Sequence, residues 1–344
     1  MGLDLYVFDS SITPLGVIDV VTGLTWLEKF SDAGNFELWC PLNDQNAELL
    51  KEDNLLWVGG ESAGVIEFKE LTSDEDGTKT IHIQGRLAES YLDYRTIYPT
   101  VIMTGKISSI LRKQVNDNLI NPTDTARKIP LIELASDQVA YGPSVSYQKT
   151  GDTVLLESSK LCEANSLGFR LQFFPRQTKF VFRVYQGTDR TLDQSEVNPV
   201  LFSSDLDDIL ESTYLHNKSE LRNFAYVAGE DSGTSRKIQT VGSTTGLSRR
   251  ELFVDARDLQ SEKTDGTTIP EPEYNSMLVE RGKTSLEDYK DIESFSATLR
   301  TFGVTGYVYG VDFFLGDRVT VYDSRLKVRT NAVITEVMKT FDED

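Results

Sequence analysis

The chain has 344 residues, 39% of them hydrophobic, and carries 54 acidic against 35 basic side chains for a formal net charge of −19. This length exceeds the size at which one hydrophobic core usually stops growing, so we expect two or three domains. An acidic surface repels a phosphate backbone, which argues against specific nucleic-acid binding but lets DNA pass along a like-charged channel. The sequence shows neither an apolar membrane span nor a signal peptide.

The first ninety or so residues predict a small all-β unit. Segments 24–30 and 36–40 alternate apolar and polar residues and flank a Gly-containing turn, which is the pattern of a β-hairpin. A short helical turn, capped by Asn43 or Asp44, is expected at 43–52. Further strand-like segments follow at 55–58, 65–71 and 78–87. We therefore predict a first β-barrel domain over residues 1–92.

The next hundred residues change character and predict a small α/β domain over residues 93–195. Helical spacing of apolar residues runs through 106–119 and again through 152–165, and we expect Gly168 to close the second helix. Two strand-like segments, 169–174 and 179–185, come after that glycine.

The last part of the chain predicts strands again, interrupted by one helix. The helix is expected at 274–289, after a polar loop. The strand-like segments are 200–202, 210–217, 223–229, 235–241, 249–254, 294–301, 304–309, 318–322 and 328–340. The simplest description is a second barrel over residues 196–344 with a helical insertion at about 257–293. The predicted fold class is therefore α+β, mainly β.

One internal echo links the two β regions. An acidic turn, an apolar strand and a second β-branched strand follow Asp53, and the same order follows Asp317. If the echo reflects common design, the two regions should superpose, with Leu55 and Val319 pointing into equivalent cores.

Candidate catalytic residues are few. The chain has two histidines, of which His82 lies in an alternating strand and His216 follows one, so we expect both to be structural. Cys40 and Cys162 sit at apolar positions and predict two buried thiols without a disulfide. A Ser-His-Asp set is recognised by geometry, and nothing in the sequence points to one.

Three motifs imitate binding sites. Gly282-Lys283-Thr284 resembles the end of a P-loop, but Met277 stands where the earlier glycine is required, so a solvated helix surface is expected. The turn 74–77 resembles an EF-hand core without its first and twelfth ligands, and predicts a hairpin turn. The acids Asp205, Asp207 and Asp208 could gather a cation, although a helix N-terminus favours acids as well.

Carbohydrate chemistry is the remaining possibility to weigh. Paired carboxylates for glycoside hydrolysis need a defined spacing across a cleft, which a sequence cannot show. Tryptophans that could stack on sugars, Trp26, Trp39 and Trp57, all fall at alternating positions of the first β unit, where core packing is expected. We predict no catalytic, cofactor-binding or metal-binding residues and no cofactor.

The ordered set of segments resembles the tail hub family of siphophages, contractile phages and phage-derived bacteriocins. The resemblance covers nearly the whole chain. It is carried by GLTWLEKFSDAGNFELWCPLN, GVIEFKEL, IHIQGRLAESYLDYRTI, GDTVLLESSKLCEANSLGFRL, VYQGTDRT, NPVLFSSDLDDILESTYLHNKSELRNFAYVAGE, RRELFVDARDL, LVERGKTSLEDY and FFLGDRVTVYD.

This resemblance implies a non-enzymatic virion component at the tail tip or baseplate, or in a phage-tail-like particle, made in the bacterial host cytoplasm. Each chain would supply two tail-tube-like barrels to a homotrimer, so that a pseudo-sixfold ring meets a hexameric tube and lines the conduit for DNA or effectors. Expected partners are the tail tube or distal tail protein, the tape measure protein and other baseplate or tip proteins. Because the chain stops just after the second barrel, we expect a bare hub without a lytic or adhesive extension.

An alternative from another class stays open at this point. The acidic residues could line the cleft of a carbohydrate-active enzyme or a cell-wall adhesin of the tail tip. An assay on peptidoglycan or polysaccharide distinguishes the two hypotheses, and so does the oligomeric state.

Overall fold

The computed structural model describes residues 5–136, 139–206, 208–263, 266–299 and 306–342. The elements of the first part are β1 (Leu5–Phe8), β2 (Pro14–Ile18), β3 (Gly23–Lys29), β4 (Asn35–Pro41), α1 (Asp44–Leu49), β5 (Leu55–Trp57), β6 (Gly64–Ser73) and β7 (Lys79–Leu87). Those of the middle part are β8 (Thr96–Lys106), α2 (Ile107–Val115), β9 (Ile132–Leu134), β10 (Ser144–Thr153), α3 (Val154–Ala164), β11 (Gly168–Phe174) and β12 (Lys179–Tyr185). Those of the last part are β13 (Asp189–Arg190), β14 (Leu201–Ser203), β15 (Ile209–Asn217), β16 (Phe224–Ala228), β17 (Ile238–Val241), β18 (Glu251–Asp255), α4 (Glu271–Glu287), β19 (Ile292–Leu299), β20 (Arg318–Asp323), β21 (Val328–Val333) and β22 (Glu336–Asp342).

A curled sheet of eight strands dominates the first part, in the order β2-β1-β5-β6-β7-β4-β3-β22. The predicted hairpin is confirmed, since β3 and β4 pair antiparallel with Trp26 opposite Phe36. Alternate residues of these strands enter one apolar core, which includes Leu24, Trp26, Leu38, Ile81 and Ile83. The alternation that predicted strands is thus the alternation of a sheet with one packed face.

The middle part packs two helices against two small sheets. The apolar stripes of α2 and α3 are buried as predicted, and they share one core with β11 and β12. The role expected of Gly168 was wrong. Helix α3 ends at Ala164, Ser166 takes the left-handed backbone conformation with φ 52°, and Gly168 is already the first residue of β11.

The last part is divided among several small sheets. Strands β13, β14 and β21 all pair with β20, while β16 lies between β17 and β18 in a separate sheet whose apolar face packs on α4. Strands β15 and β19 pair only with each other in the described part of the chain, and form a two-stranded ribbon. The unit of β16, β17, β18 and α4 is inserted between the two strands of that ribbon, and α4 also packs against β10 and α3.

Several strand predictions for this region need correction. Residues 306–308 form no strand, and Tyr309 makes only an isolated bridge to Phe313; residues 304–305 of that predicted strand lie outside the described residues. The predicted strand 328–340 is two strands, because the backbone breaks its pairing at residues 334–335. The second of them, β22, leaves the last part and pairs with β3. The chain is mainly β as predicted, while its division at 92 and 195 and the helical insertion at 257–293 stay predictions.

The internal echo is visible as two antiparallel pairs. Strand β5 follows Asp53 and pairs with β6, and β20 follows Asp317 and pairs with β21. Leu55 and Val319 are both buried, but in different core clusters. The superposition of the two β regions stays a prediction.

The three parts of the chain meet around one aromatic ring, that of Phe30 at the end of β3. A methyl group on Gly168 would lie 2.3 Å from carbons of the Phe30 ring, and one on Gly316 would also lie 2.3 Å from it. Two backbone hydrogen bonds also link Phe30 to the other parts. The Phe30 N–H donates to the Thr335 carbonyl, and the Phe30 carbonyl accepts from the Phe169 N–H. Phe30 is therefore held between two glycines that belong to the middle and last parts.

A buried charge cluster lies beside this ring. Glu28 accepts a hydrogen bond from the Tyr309 hydroxyl at 2.7 Å and pairs with Lys339 at 3.1 Å, and Arg170 lies 3.7 Å from the same carboxylate. Burial, followed by the Glu28 charge, raises the pKa of Tyr309, so the phenol stays a neutral donor. Side chains from β3, β11, β22 and the loop before β20 thus satisfy one carboxylate that would be costly to bury alone.

The first testable prediction concerns Gly168. We expect Gly168→Ala to lower the free energy of unfolding by about 2–3 kcal/mol, because the added methyl collides with a fixed ring and with the Phe30 carbonyl. Urea denaturation at a fixed protein concentration measures the loss. Gly105→Ala is the matched control, since its methyl meets only the flexible end of Met103. Equal stability of the two variants would contradict the role assigned to Phe30.

Candidate assembly surface

The two histidines lie on different strands and are each paired with acids. His82 on β7 stacks on Trp39 with ring centroids 4.9 Å apart, and its ring nitrogens lie 2.6 Å from Glu37 and 3.5 Å from Glu70. His216 at the end of β15 lies 2.9 Å from Asp291. The structure does not bring the two histidines together, and a purely structural role for both stays a prediction.

The three imitation motifs have structural roles in the chain. The solvated surface expected for Gly282-Lys283-Thr284 was wrong, because Lys283 is exposed but Gly282 and Thr284 are buried on α4. An added methyl on Gly282 would collide with Val227 and Val241, so the glycine allows close helix–sheet packing. The turn at 74–77 is a hairpin turn as predicted: the Asp74 N–H donates to the Thr78 carbonyl, and the Gly77 N–H donates back to Asp74. Asp205 accepts from the Ser324 hydroxyl. Asp208 is buried, and Asp207 lies outside the described residues.

The three tryptophans and the two cysteines are buried or half-buried. Trp26 is fully buried and stacks on Phe36, whereas Trp39 and Trp57 are half-buried. Cys40 and Cys162 are free, buried thiols as predicted, and burial raises the pKa of Cys40 to about 11. Within the described ranges, no three His, Cys, Asp or Glu side chains lie close enough to hold a metal ion. No helix there is long and apolar enough to cross a membrane.

The outward face of the first sheet carries paired charges beside the aromatic group of Trp39, His82 and Phe68. Arg86 donates to Glu67 and Asp93, and Lys29 lies within 4.0 Å of Asp32 and Glu336. Carboxylates therefore occupy these cations, which leaves them poorly available to bind a phosphate backbone.

The ribbon of β15 and β19 packs on the rest of the described chain with one face only. Its inner face is anchored, since Phe295 packs on a small core and Ser212 bonds to Asp323. The side chains of its outer face are exposed, apart from one that is half-buried. That outer face consists of Glu211, Thr213, Leu215, Asn217, Ile292, Ser294, Ser296 and Thr298. An isolated two-stranded ribbon is only marginally stable in water, so this one needs further contacts.

The composition of the ribbon also lacks the usual protection of strand edges. Neither strand contains Lys, Arg or Pro, the residues with which proteins commonly block unwanted pairing. Exposed Leu215 and Ile292 lie on the outer face beside four hydroxyl side chains. A surface of this kind is typical of one that is covered in an assembly. This surface could not be predicted from the sequence, because an alternating strand pattern does not reveal whether another layer covers the strand.

Asp323 fixes the base of the ribbon to the hairpin of β20 and β21. Its carboxylate accepts from the Ser212 hydroxyl at 2.5 Å, from the Arg325 side chain at 2.8 Å and from the backbone N–H groups of Arg325 and Leu326. The Arg325 hydrogen bonds are the main reason why the pKa of Asp323 lies below its ordinary range. One buried carboxylate thereby joins three segments of the last part.

Comparison with known proteins gives one family and several similar folds. The sequence profile of the family described as Siphovirus ReqiPepy6 Gp37-like protein matches residues 4–344. No curated protein matches the sequence.

Three solved structures resemble the chain over nearly its whole length. A tail protein from Neisseria meningitidis MC58 has a TM-score of 0.59 at 13% identity, with 99% of this chain and 93% of that chain covered. The 43 kDa tail protein of prophage MuSo2 from Shewanella oneidensis has a TM-score of 0.55 at 12% identity, with 99% and 95% covered. Prophage tail protein gp18 from Listeria monocytogenes EGD-e has a TM-score of 0.53 at 12% identity, with 98% and 90% covered. At these identities the likeness is one of fold.

The anchor of the ribbon gives the second prediction. We expect Asp323→Asn to lose about 2 kcal/mol of stability, because the charge-assisted hydrogen bonds are weakened. Amide hydrogen exchange in residues 209–217 should accelerate, as measured by mass spectrometry. The wild-type contribution of Asp323 is complete at neutral pH and declines as the pH falls below 3.8, because the folded-state pKa is lowered from that value.

Asp76→Asn is the control for this prediction, because Asp76 caps an exposed turn through the Thr78 N–H and joins no second element. Unchanged exchange in residues 209–217 of the Asp323→Asn protein would show that the ribbon is held by other contacts.

Proposed function

The chain belongs to the Siphovirus ReqiPepy6 Gp37-like family of phage tail proteins, and we propose that it is the structural hub of a tail tip, assembled as a homotrimer. The observation that carries the assembly is the ribbon of β15 and β19, whose outer face is exposed and unguarded in a single chain. A closed ring covers such surfaces and removes free strand edges. The proposed location is the tail tip or baseplate of a virion or of a phage-tail-like particle.

The proposed ring adapts a threefold assembly to a sixfold tube. Each chain contributes two β regions, one built on the eight-stranded sheet and one on the sheets around β20, so three chains present six β regions. The antiparallel pairs that follow Asp53 and Asp317 support a related design for the two regions. The proposed domains remain those of the sequence: barrels over residues 1–92 and 196–344, with an α/β domain over residues 93–195 between them.

A conduit role is the second part of the proposal. The paired charges on the outward face of the first sheet and the net charge of −19 favour a lumen along which DNA or effectors slide without binding. The proposed partners are the tail tube or distal tail protein, the tape measure protein and other tip or baseplate proteins.

We also propose that the chain performs no catalysis. The membership in a tail-protein family supports this reading, and so do the separate, acid-paired histidines and the two buried thiols. Cys162 supports it further, because burial raises its pKa and leaves the thiol protonated.

The third prediction tests the assembly through the ribbon. The paired positions Thr213 and Ser296 lie opposite each other on its outer face. We expect Thr213→Lys with Ser296→Lys to shift the purified protein from trimer to monomer, because two buried, unpaired charges would oppose the contact. Light scattering coupled to size exclusion measures the mass, and circular dichroism checks that the monomer stays folded.

Thr125→Lys is the control for the ribbon variant, since Thr125 is exposed on a turn of the middle part. A trimer that tolerates both lysines on the ribbon would contradict the proposed coverage of this face. A wild-type chain that stays monomeric both alone and in the particle would contradict the hub itself.

A further inference from the structure

The sheet of β17, β16 and β18 has a second face, opposite α4, that carries aromatic residues and arginines. The register places Tyr226 beside Phe253 and Ala228 beside Ile238, with Phe224 at the end of the central strand. Together with Arg236 and Arg249 these side chains form what we name the Arg–aromatic face. The other face is fully used by the core with α4.

The two arginines are held in fixed positions on this face. Arg249 lies flat over Phe224, 3.4 Å from the ring centroid, and its guanidinium bonds at 2.7 Å to both the Tyr226 hydroxyl and Glu251. Arg236 donates at 2.7 Å to the carbonyls of Ala228 and Gly229 and pairs with Asp255. Because these side chains are already ordered, a partner would lose little rotamer entropy when it docks on them.

Large apolar side chains remain exposed between and beside the arginines. Phe253 is 61% exposed, Ile238 is 51% exposed, and Leu247 in the neighbouring loop is completely exposed. Interface cores are enriched in aromatic residues and arginine, the residue types that this face presents. An exposed apolar group of this size on a folded, charged protein indicates a contact surface.

The rim of this face is basic in an otherwise acidic chain. Residues 236–257 contain five basic and two acidic side chains, whereas the whole chain has a net charge of −19. Arg250 and Arg257 are the exposed members nearest β18. Arg257 shares the Asp255 carboxylate with Arg236, so these three side chains keep a net positive charge. The occupant that this charge pattern favours is therefore a surface with apolar side chains at its centre and acids at its rim.

The chain itself presents such a surface at the open edge of the first sheet. Strand β2 is the first strand in the sheet order, and its outer edge is unpaired in the described residues. Leu15 on this strand is 44% exposed, and Val20, two residues after its end, is 51% exposed. Exposed acids lie nearby in the chain or on the helix that packs against β2: Asp19 precedes Val20, and Asp44 and Glu48 belong to α1. We name this surface the β2 edge.

We propose that the Arg–aromatic face of one copy docks on the β2 edge of the next copy in a head-to-tail contact. A heterologous contact needs two unlike surfaces on one chain, and rings form when such contacts close. The two surfaces match in both respects, with apolar centres and rims of opposite charge. This inference rests on the proposed ring and names one of its seams, separate from the ribbon of β15 and β19.

A charge swap tests the contact. Arg257→Glu on the rim of the Arg–aromatic face and Asp19→Lys on the β2 edge are each expected to raise the dissociation constant of the wild-type oligomer about tenfold or more, because each places like charges across the seam. The chain that carries both substitutions should recover most of the lost affinity. Analytical ultracentrifugation at two salt concentrations measures the constants, and the wild-type affinity should fall as salt rises.

Glu75→Lys is the control, because it changes the net charge as Asp19→Lys does but lies in the exposed turn between β6 and β7. Dissociation constants of the two single variants that equal the wild-type value would overturn the contact and leave the hub proposal standing. Losses that simply add in the double variant would overturn it too, since the swap restores attraction only if the two positions face each other. A wild-type chain that self-associates neither alone nor in the particle would overturn the contact and the hub together.

Discussion

The packing of Phe30 between Gly168 and Gly316 joins the three parts of the chain. The ring ends the strand β3, and the two glycines let the middle and last parts approach it closely. Around it, the Glu28 carboxylate collects a phenol and two cations from the other parts. Removing one partner would leave a buried charge uncompensated, so the three parts hold one relative arrangement. A ring requires this rigidity, because small errors in the angle between two β regions accumulate around a closed circle.

The distribution of burial follows from this central junction. Large cores lie in the first sheet and around α2 and α3, whereas the last part has small cores and several short sheets. The ribbon and the Arg–aromatic face belong to that last part and expose apolar side chains. Stability is thus concentrated where the chain packs on itself, and the surfaces left open are those that the proposed assembly would cover.

The local sequence pattern was enough to predict those elements whose structure depends on residues close in sequence. Helices α2 and α3 and the hairpin of β3 and β4 were predicted from period and turn residues. Strands β8 and β10 were not predicted. Exposed positions occur on both of their faces, so the alternation of buried and exposed residues is weak. The pairing of β22 with β3 joins opposite ends of the chain and leaves no local signal. Gly168 was misread for the same reason: a glycine after a helix resembles a cap, and its true neighbour Phe30 is far away in sequence.

We propose that three copies of this chain form a ring whose two β regions per copy meet a sixfold tube. A three-dimensional reconstruction of assembled tails, computed without imposed symmetry, would count the copies and show their contacts. We expect three copies in a threefold ring at the tip, with the outer face of the ribbon covered and the outward face of the first sheet towards the lumen. Six copies in the ring, a single copy at the tip, or ribbons that project freely into solvent would contradict it.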